Sequence, residues 1–146
     1  MAVDAGAIGS SGLRELGSGL RGEVAGPGDR GYDTARAVFN GMIDRRPLAV
    51  VRCADASDVV RCVRFAGRHE LPLSVRGGGH SVAGNAVRDG AVMLDLSGMK
   101  ALRVDPEART VRAEPGLTLG EFDRATQAFG LAALRLTNMP GTELFV

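Results

Sequence analysis

Lysine is nearly missing from this chain of 146 residues: Lys100 is the only one, and arginine carries the rest of the positive charge. The formal net charge is only +1, with 24% charged residues of mixed sign, so there is no basic footprint for nucleic acid and no like-charge block for a membrane surface. Cysteine is scarce too. Cys53 and Cys62 have neither the CxxC spacing of redox chemistry nor the short spacings of a zinc site, which leaves buried free thiols as the expectation and no metal. No window is long and apolar enough for a membrane span, and the first residues lack the charged and apolar regions of a secretory signal. A chain of cytoplasmic type with one domain and a modest core is expected.

What is abundant is glycine, and its densest cluster is Arg76-Gly77-Gly78-Gly79-His80-Ser81. Adjacent glycines can take positive φ and leave their N–H groups uncovered, which suits a backbone nest for an anion such as pyrophosphate. The half-apolar run Leu73-Ser74-Val75-Arg76 before them reads as a strand, so the glycines fall where a strand ends and a loop begins. Two phosphate-loop patterns fail at named residues. From Gly79 to Gly84 the spacing starts a P-loop, but Asn85 and Ala86 stand where Lys and Ser/Thr are required. The dinucleotide fingerprint fits from Gly77 only until Val82, and no helix pattern opens inside the loop. A glycine-rich turn with a hydrogen-bonded histidine remains open beside the anion nest.

Along the chain, residues 1–19 are rich in Gly, Ser and Ala; they predict a frayed, flexible N-terminus with at most a helical turn at Leu13-Arg14-Glu15-Leu16. After the turn signal Pro27-Gly28-Asp29, residues 32–40 read as a short helix with Ala35, Val38 and Phe39 on one side. Leu48-Ala49-Val50-Val51 predicts a buried strand. Asp55 to Asp58 offers N-caps for a helix whose core stripe is Val59, Cys62, Val63 and Ala66, with His69 at its C-terminus. Strand, helix, strand and glycine loop form a βαβ-like unit. Ala91-Val92-Met93-Leu94-Asp95-Leu96 predicts another apolar strand. Leu102/Val104 and Val111/Ala113 alternate around Asp105-Pro106-Glu107 as an antiparallel hairpin. Thr118-Leu119-Gly120-Glu121 has capping-box spacing, and Phe122, Ala125, Thr126 and Phe129 continue one helical face to Gly130. The fold class is α+β, a small mixed sheet with flanking helices. From Ala133 onward neither period is present.

Taken in series, several segments resemble the N-terminal part of bacterial FAD-linked oxidases of the berberine-bridge-enzyme type, whose PCMH-type FAD-binding domain belongs to the vanillyl-alcohol-oxidase superfamily. They are Pro27-Gly28-Asp29-Arg30-Gly31-Tyr32-Asp33, Phe39-Asn40, Ile43-Asp44-Arg45-Arg46-Pro47, the glycine loop, Val82-Ala83-Gly84-Asn85, Asp95-Leu96-Ser97-Gly98-Met99, Val104-Asp105-Pro106 and Leu119-Gly120-Glu121. The resemblance implies a first FAD-binding subdomain over residues 20–132. It implies FAD as cofactor, backbone contacts to the pyrophosphate from Gly77, Gly78, Gly79, His80 and Ser81, and Arg76 as a charge partner. It also implies that Gly84 and Asn85 continue around the cofactor and that His80 bonds covalently to the flavin. The family reaction moves a hydride from substrate carbon to flavin, with O₂ as final acceptor. Residues 133–146 depart from the family pattern, which implies a truncated domain with a divergent tail and no catalytic base or substrate domain. Three expectations follow: an FAD-binding module completed by another chain, a catalytically inactive remnant, or a non-flavin anion-binding α+β domain.

Overall fold

The computed structural model describes residues 9–132, which fall into two compact units divided between Met99 and Lys100. Residues 1–8 and the tail at 133–146 lie outside the described residues.

In the first unit, a helix α1 (Gly9–Gly17) leads to strand β1 (Glu23–Ala25), a one-turn helix α2 (Tyr32–Ala35), strand β2 (Ala49–Arg52), helix α3 (Ala56–Arg68), and strands β3 (Leu73–Arg76) and β4 (Val92–Asp95). The four strands form one sheet in the order β1-β2-β4-β3. β4 runs parallel to β2 and β3, and β1 is antiparallel to β2. The expected βαβ unit is present, with β4 inserted between its two strands.

Side chains alternate across a strand, so each central strand feeds two cores. Ala49, Val51, Val92 and Leu94 join Cys62, Phe65 and Ala66 of α3 in one cluster; Val50 and Met93 point to the other face, where Tyr32 and Val87 cover them. Burial on both faces is why β2 and β4 read as continuous apolar runs rather than as alternating ones. Cys53 and Cys62 are free thiols in this interior, and the neighbouring Cys62 thiol together with burial pushes the Cys53 thiol up.

α3 starts where its sequence says it should. The Asp55 side chain accepts the N–H groups of Ser57 and Asp58. Asp58, fully buried, accepts three more: those of Arg21 and Gly22 at 2.9 Å and of Ala54 at 2.9 Å. It thereby ties the approach to β1 against the first turn of α3. The core stripe is narrower than expected. Cys62, Phe65 and Ala66 are buried, whereas Val63 is half-exposed. His69 caps the C-terminus, its N–H on the Phe65 carbonyl.

Two local expectations are corrected. Residues 9–17 form a full helix rather than a single turn, because Leu16 inserts into the main core with Leu13 packed beside it; packing overrides a Gly/Ser-rich sequence. The helix expected over residues 32–40 stops at Ala35. Beyond it the backbone groups that would continue the helix are used elsewhere: the Ala37 carbonyl accepts from Arg76, and the Phe39 N–H donates to Gly79. Phe39 is consequently 78% exposed rather than part of a buried face.

The second unit holds the expected hairpin, β5 (Leu102–Asp105) and β6 (Thr110–Ala113), with Val104 opposite Val111, and helix α4 (Leu119–Gln127). The capping box is complete: the Glu121 N–H donates to Thr118 Oγ1, and the Thr118 N–H donates to the Glu121 carboxylate at 2.7 Å. Lys100, 2.8 Å away, and then the Thr118 donors hold the Glu121 carboxyl down to about 2. Phe122 and Thr126 are buried, and Gly130, at φ 67°, follows the helix end. Among the described residues no helix is long and apolar enough to cross a membrane.

Candidate functional site

Three charged residues share one register at the carboxyl ends of the parallel strands: Arg52 on β2, Asp95 on β4 and Arg76 on β3. Ligands of open parallel sheets gather at this end. Asp95 is 1% exposed and held by a fork from Arg76, Nη2 to Oδ2 at 2.7 Å and Nε to Oδ1 at 3.4 Å, with the Ser97 N–H on Oδ1 at 3.0 Å. Burial opposes its charge, but the hydrogen bonds from Arg76 and Ser97 outweigh that and hold the carboxyl below the ordinary value. Arg52 adds a longer contact of 3.5 Å.

From Arg76 the chain enters the glycine loop. Gly79 has φ 74° and is buried, and its carbonyl accepts the Phe39 N–H at 3.2 Å. A Cβ at Gly78 would meet the exposed His80 ring at 2.8 Å, so the ring would have to move to admit it. Among the described residues, none accepts a hydrogen bond from the N–H groups of Gly77, Gly78, Gly79, His80 or Ser81. Five consecutive free donors around a positive-φ glycine are chemically suited to an anion such as a pyrophosphate. The His80 ring is exposed and stands against Phe39, centroids 4.8 Å apart and planes tilted by 48°.

The loop then closes on itself. Ser81 Oγ accepts the Asn85 N–H at 3.1 Å and the Ser81 carbonyl accepts the Gly84 N–H at 3.0 Å, while Arg45 donates to the carbonyls of Gly84 and Val87. Gly84, at φ 71°, packs so tightly under Ile43 that a Cβ would come within 2.7 Å of its Cδ1. The sequence-selected residues therefore divide by what they contact. Gly77, Gly78, Gly79, His80 and Ser81 form one run of free N–H groups; Gly84 and Asn85, hydrogen-bonded to Ser81, complete the turn that follows it. The Arg76 guanidinium, 12% exposed, is engaged by Asp95 and the Ala37 carbonyl. Asp95 and the segment 37–45 were not among the site residues expected from sequence, although Phe39-Asn40, Ile43-Asp44-Arg45 and Asp95 stand in segments that carry the family resemblance.

Residues 47–140 match the family described as the FAD binding domain. The chain belongs to that family. Among curated relatives of this FAD binding domain, (R)-6-hydroxynicotine oxidase of Paenarthrobacter nicotinovorans is 36% identical over 115 residues, 79% of this chain and 25% of that protein. The crystal structure of 6-hydroxy-D-nicotine oxidase from Arthrobacter nicotinovorans superposes with a TM-score of 0.74 at 37% identity, covering 78% of this chain and 25% of the other. Wild-type BBE-like 1 of Physcomitrella patens gives a TM-score of 0.75 at 28% identity, with 81% and 26% covered. The chain thus spans about a quarter of the length of the proteins it matches. The α+β fold with its mixed sheet is that of the FAD-binding part of these flavin-linked oxidoreductases.

Proposed function

We propose that this chain is the FAD-holding module of a flavin-linked oxidoreductase, with the free N–H groups of residues 77–81 on the cofactor pyrophosphate and His80 as the covalent anchor. The observation that carries the reading is the row of five unaccepted donors beside an exposed imidazole. When bound, FAD supplies the hydride-accepting ring of a substrate oxidation that returns electrons to O₂. The chain's own part is to bind and orient. Backbone donors need no reorganisation to meet a fixed anion, and a neutral imidazole is a nucleophile for a covalent tether. Gly84 and Asn85 hold the turn under the nest, and Arg76 contributes through the loop rather than by direct charge on the phosphates.

A second reading, a module that holds FAD yet oxidises nothing unaided, is favoured by the apolar side chains bordering the loop. Phe39, Met42 and Val82 are 78%, 92% and 83% exposed, a rim that suits coverage by a complementing chain.

The test is a visible absorbance spectrum of the purified chain, with FAD added, before and after acid precipitation. Flavin that stays with the precipitated wild type, but is released to the supernatant by His80→Ala, is the expected result. No flavin with either chain defeats the proposal, and acid-stable flavin in His80→Ala defeats the assignment of the anchor.

A further inference from the structure

We infer that Asp95 is a positioning residue for His80, acting through the Arg76 guanidinium and the backbone of residues 37–39; the inference rests on the FAD-holding role proposed for the loop.

The links are hydrogen bonds, a ring contact and two residues of chain. Asp95 is buried at the end of β4, and its two oxygens meet Nε and Nη2 of Arg76. A guanidinium is planar, so fixing two nitrogens fixes the third. That third nitrogen, Nη1, donates to the Ala37 carbonyl at 2.6 Å. Two residues on, the Phe39 N–H meets the Gly79 carbonyl at 3.2 Å, and the Phe39 ring stands against His80.

Burial does not explain why Phe39 is where it is, because the ring is mostly in solvent. What locates it is backbone: one carbonyl before it and its own N–H. The His80 imidazole is therefore placed from two directions, by its chain connection to β3 through the glycines and by a ring whose support leads back to the same Arg76. Both routes end at Asp95. Arg52, at 3.5 Å and with its side chain more than half exposed, is the weaker partner of that carboxylate. The arrangement also accounts for an arginine that stands beside an anion nest without offering it a free guanidinium.

The experiment records the carbon-bound ring protons of His80 by NMR in the full chain, which report the Phe39 ring current directly. Phe39→Leu, a surface change, gives the reference position for an imidazole without its neighbour. Asp95→Asn is expected to stay folded and to move the His80 signals toward that reference, with acid-stable flavin lost and dissociable FAD retained. If Asp95→Asn does not fold, Arg76→Lys decides. It keeps a cation for Asp95 but not the fork that also reaches Ala37, so the same shift is expected. Wild-type His80 signals in a folded Asp95→Asn, or in Arg76→Lys where the first does not fold, overturn the inference. Failure of the wild-type chain to take up FAD would defeat the proposed function instead, and the NMR comparison would still decide the role of Asp95.

Discussion

Substituting Gly78 by alanine should separate the anchor from the fold. The backbone there does not have positive φ, so alanine is sterically allowed by the main chain. The obstacle is local: the new Cβ would lie 2.8 Å from Cδ2 and 3.4 Å from Nε2 of His80, and the exposed ring must swing away from Phe39. An off-rotamer imidazole costs about 0.5–1.5 kcal/mol, and the aromatic contact is worth about 0.5 kcal/mol at an exposed site. Against this, restricting the unfolded chain by a Gly→Ala change contributes about 0.4–1 kcal/mol. The net change is a loss of at most about 1.6 kcal/mol, a fall in Tm of no more than ~6–13 °C for a unit of this size. Misplacing a reacting group by ~1 Å, by contrast, costs on the order of 100-fold in rate. Acid-stable flavin should therefore accumulate about 100-fold more slowly in Gly78→Ala, while the Tm followed by circular dichroism falls by no more than that modest shift. Attachment within about threefold of wild type, well short of the ~100-fold expected, refutes the geometry around His80. Gly79→Ala is the contrasting variant. Its φ of 74° strains the loop by ~1–2 kcal/mol whatever His80 does, so stability falls along with attachment.

Replacing Asp58 by alanine orphans the N–H groups of Arg21, Gly22 and Ala54 at once. At the low end of ~1–3 kcal/mol per donor, a loss of about 3 kcal/mol is expected in urea denaturation, and a loss under ~1 kcal/mol would contradict it. Removing the cap with Thr118→Ala should lower helix stability in the second unit by about 1 kcal/mol, seen as faster amide exchange in the first turn of α4; unchanged exchange would show the box to be inert. Acid should act through Asp95. Its folded-state carboxyl sits below the ordinary value, so the folded chain favours the anion. That stabilisation is complete above the unfolded value of about 3.9 and is lost as pH falls through the lower folded value. Titrated downward in acid, wild type should lose its stability advantage over Asp95→Asn, and a constant advantage down to about pH 2 would rule this out.

How much of this was readable in the residues depends on how local each cause is. β2 and β4 were legible because strands buried on both faces need apolar residues throughout, and α3 and α4 because Asp55 and the Thr118/Glu121 pair cap within three residues. β1 was not: three residues at a sheet edge carry no period, and what sets them is Asp58, dozens of positions later. The early end of α2 was hidden for the same reason, since the partners of Ala37 and Phe39 lie about forty residues away on the glycine loop. At the site, the glycines and His80 announced themselves by composition at a strand end. Arg76 read as a charge for phosphate because nothing in its neighbourhood of sequence names Asp95, which reaches it only through the sheet order.

That sheet order has a consequence for how the chain acquires its shape. β3 has a single hydrogen-bonding neighbour, β4, and β4 is the last strand of its sheet to be synthesised. A growing chain therefore carries the glycine loop for some time on a strand with no ladder to join. Closing it requires non-local pairing, the slow kind. The loop proposed to hold the cofactor is in this sense a late product of folding: until Val92–Asp95 slots between its neighbours, the nascent chain has the loop's residues in the right sequence but not in their folded arrangement.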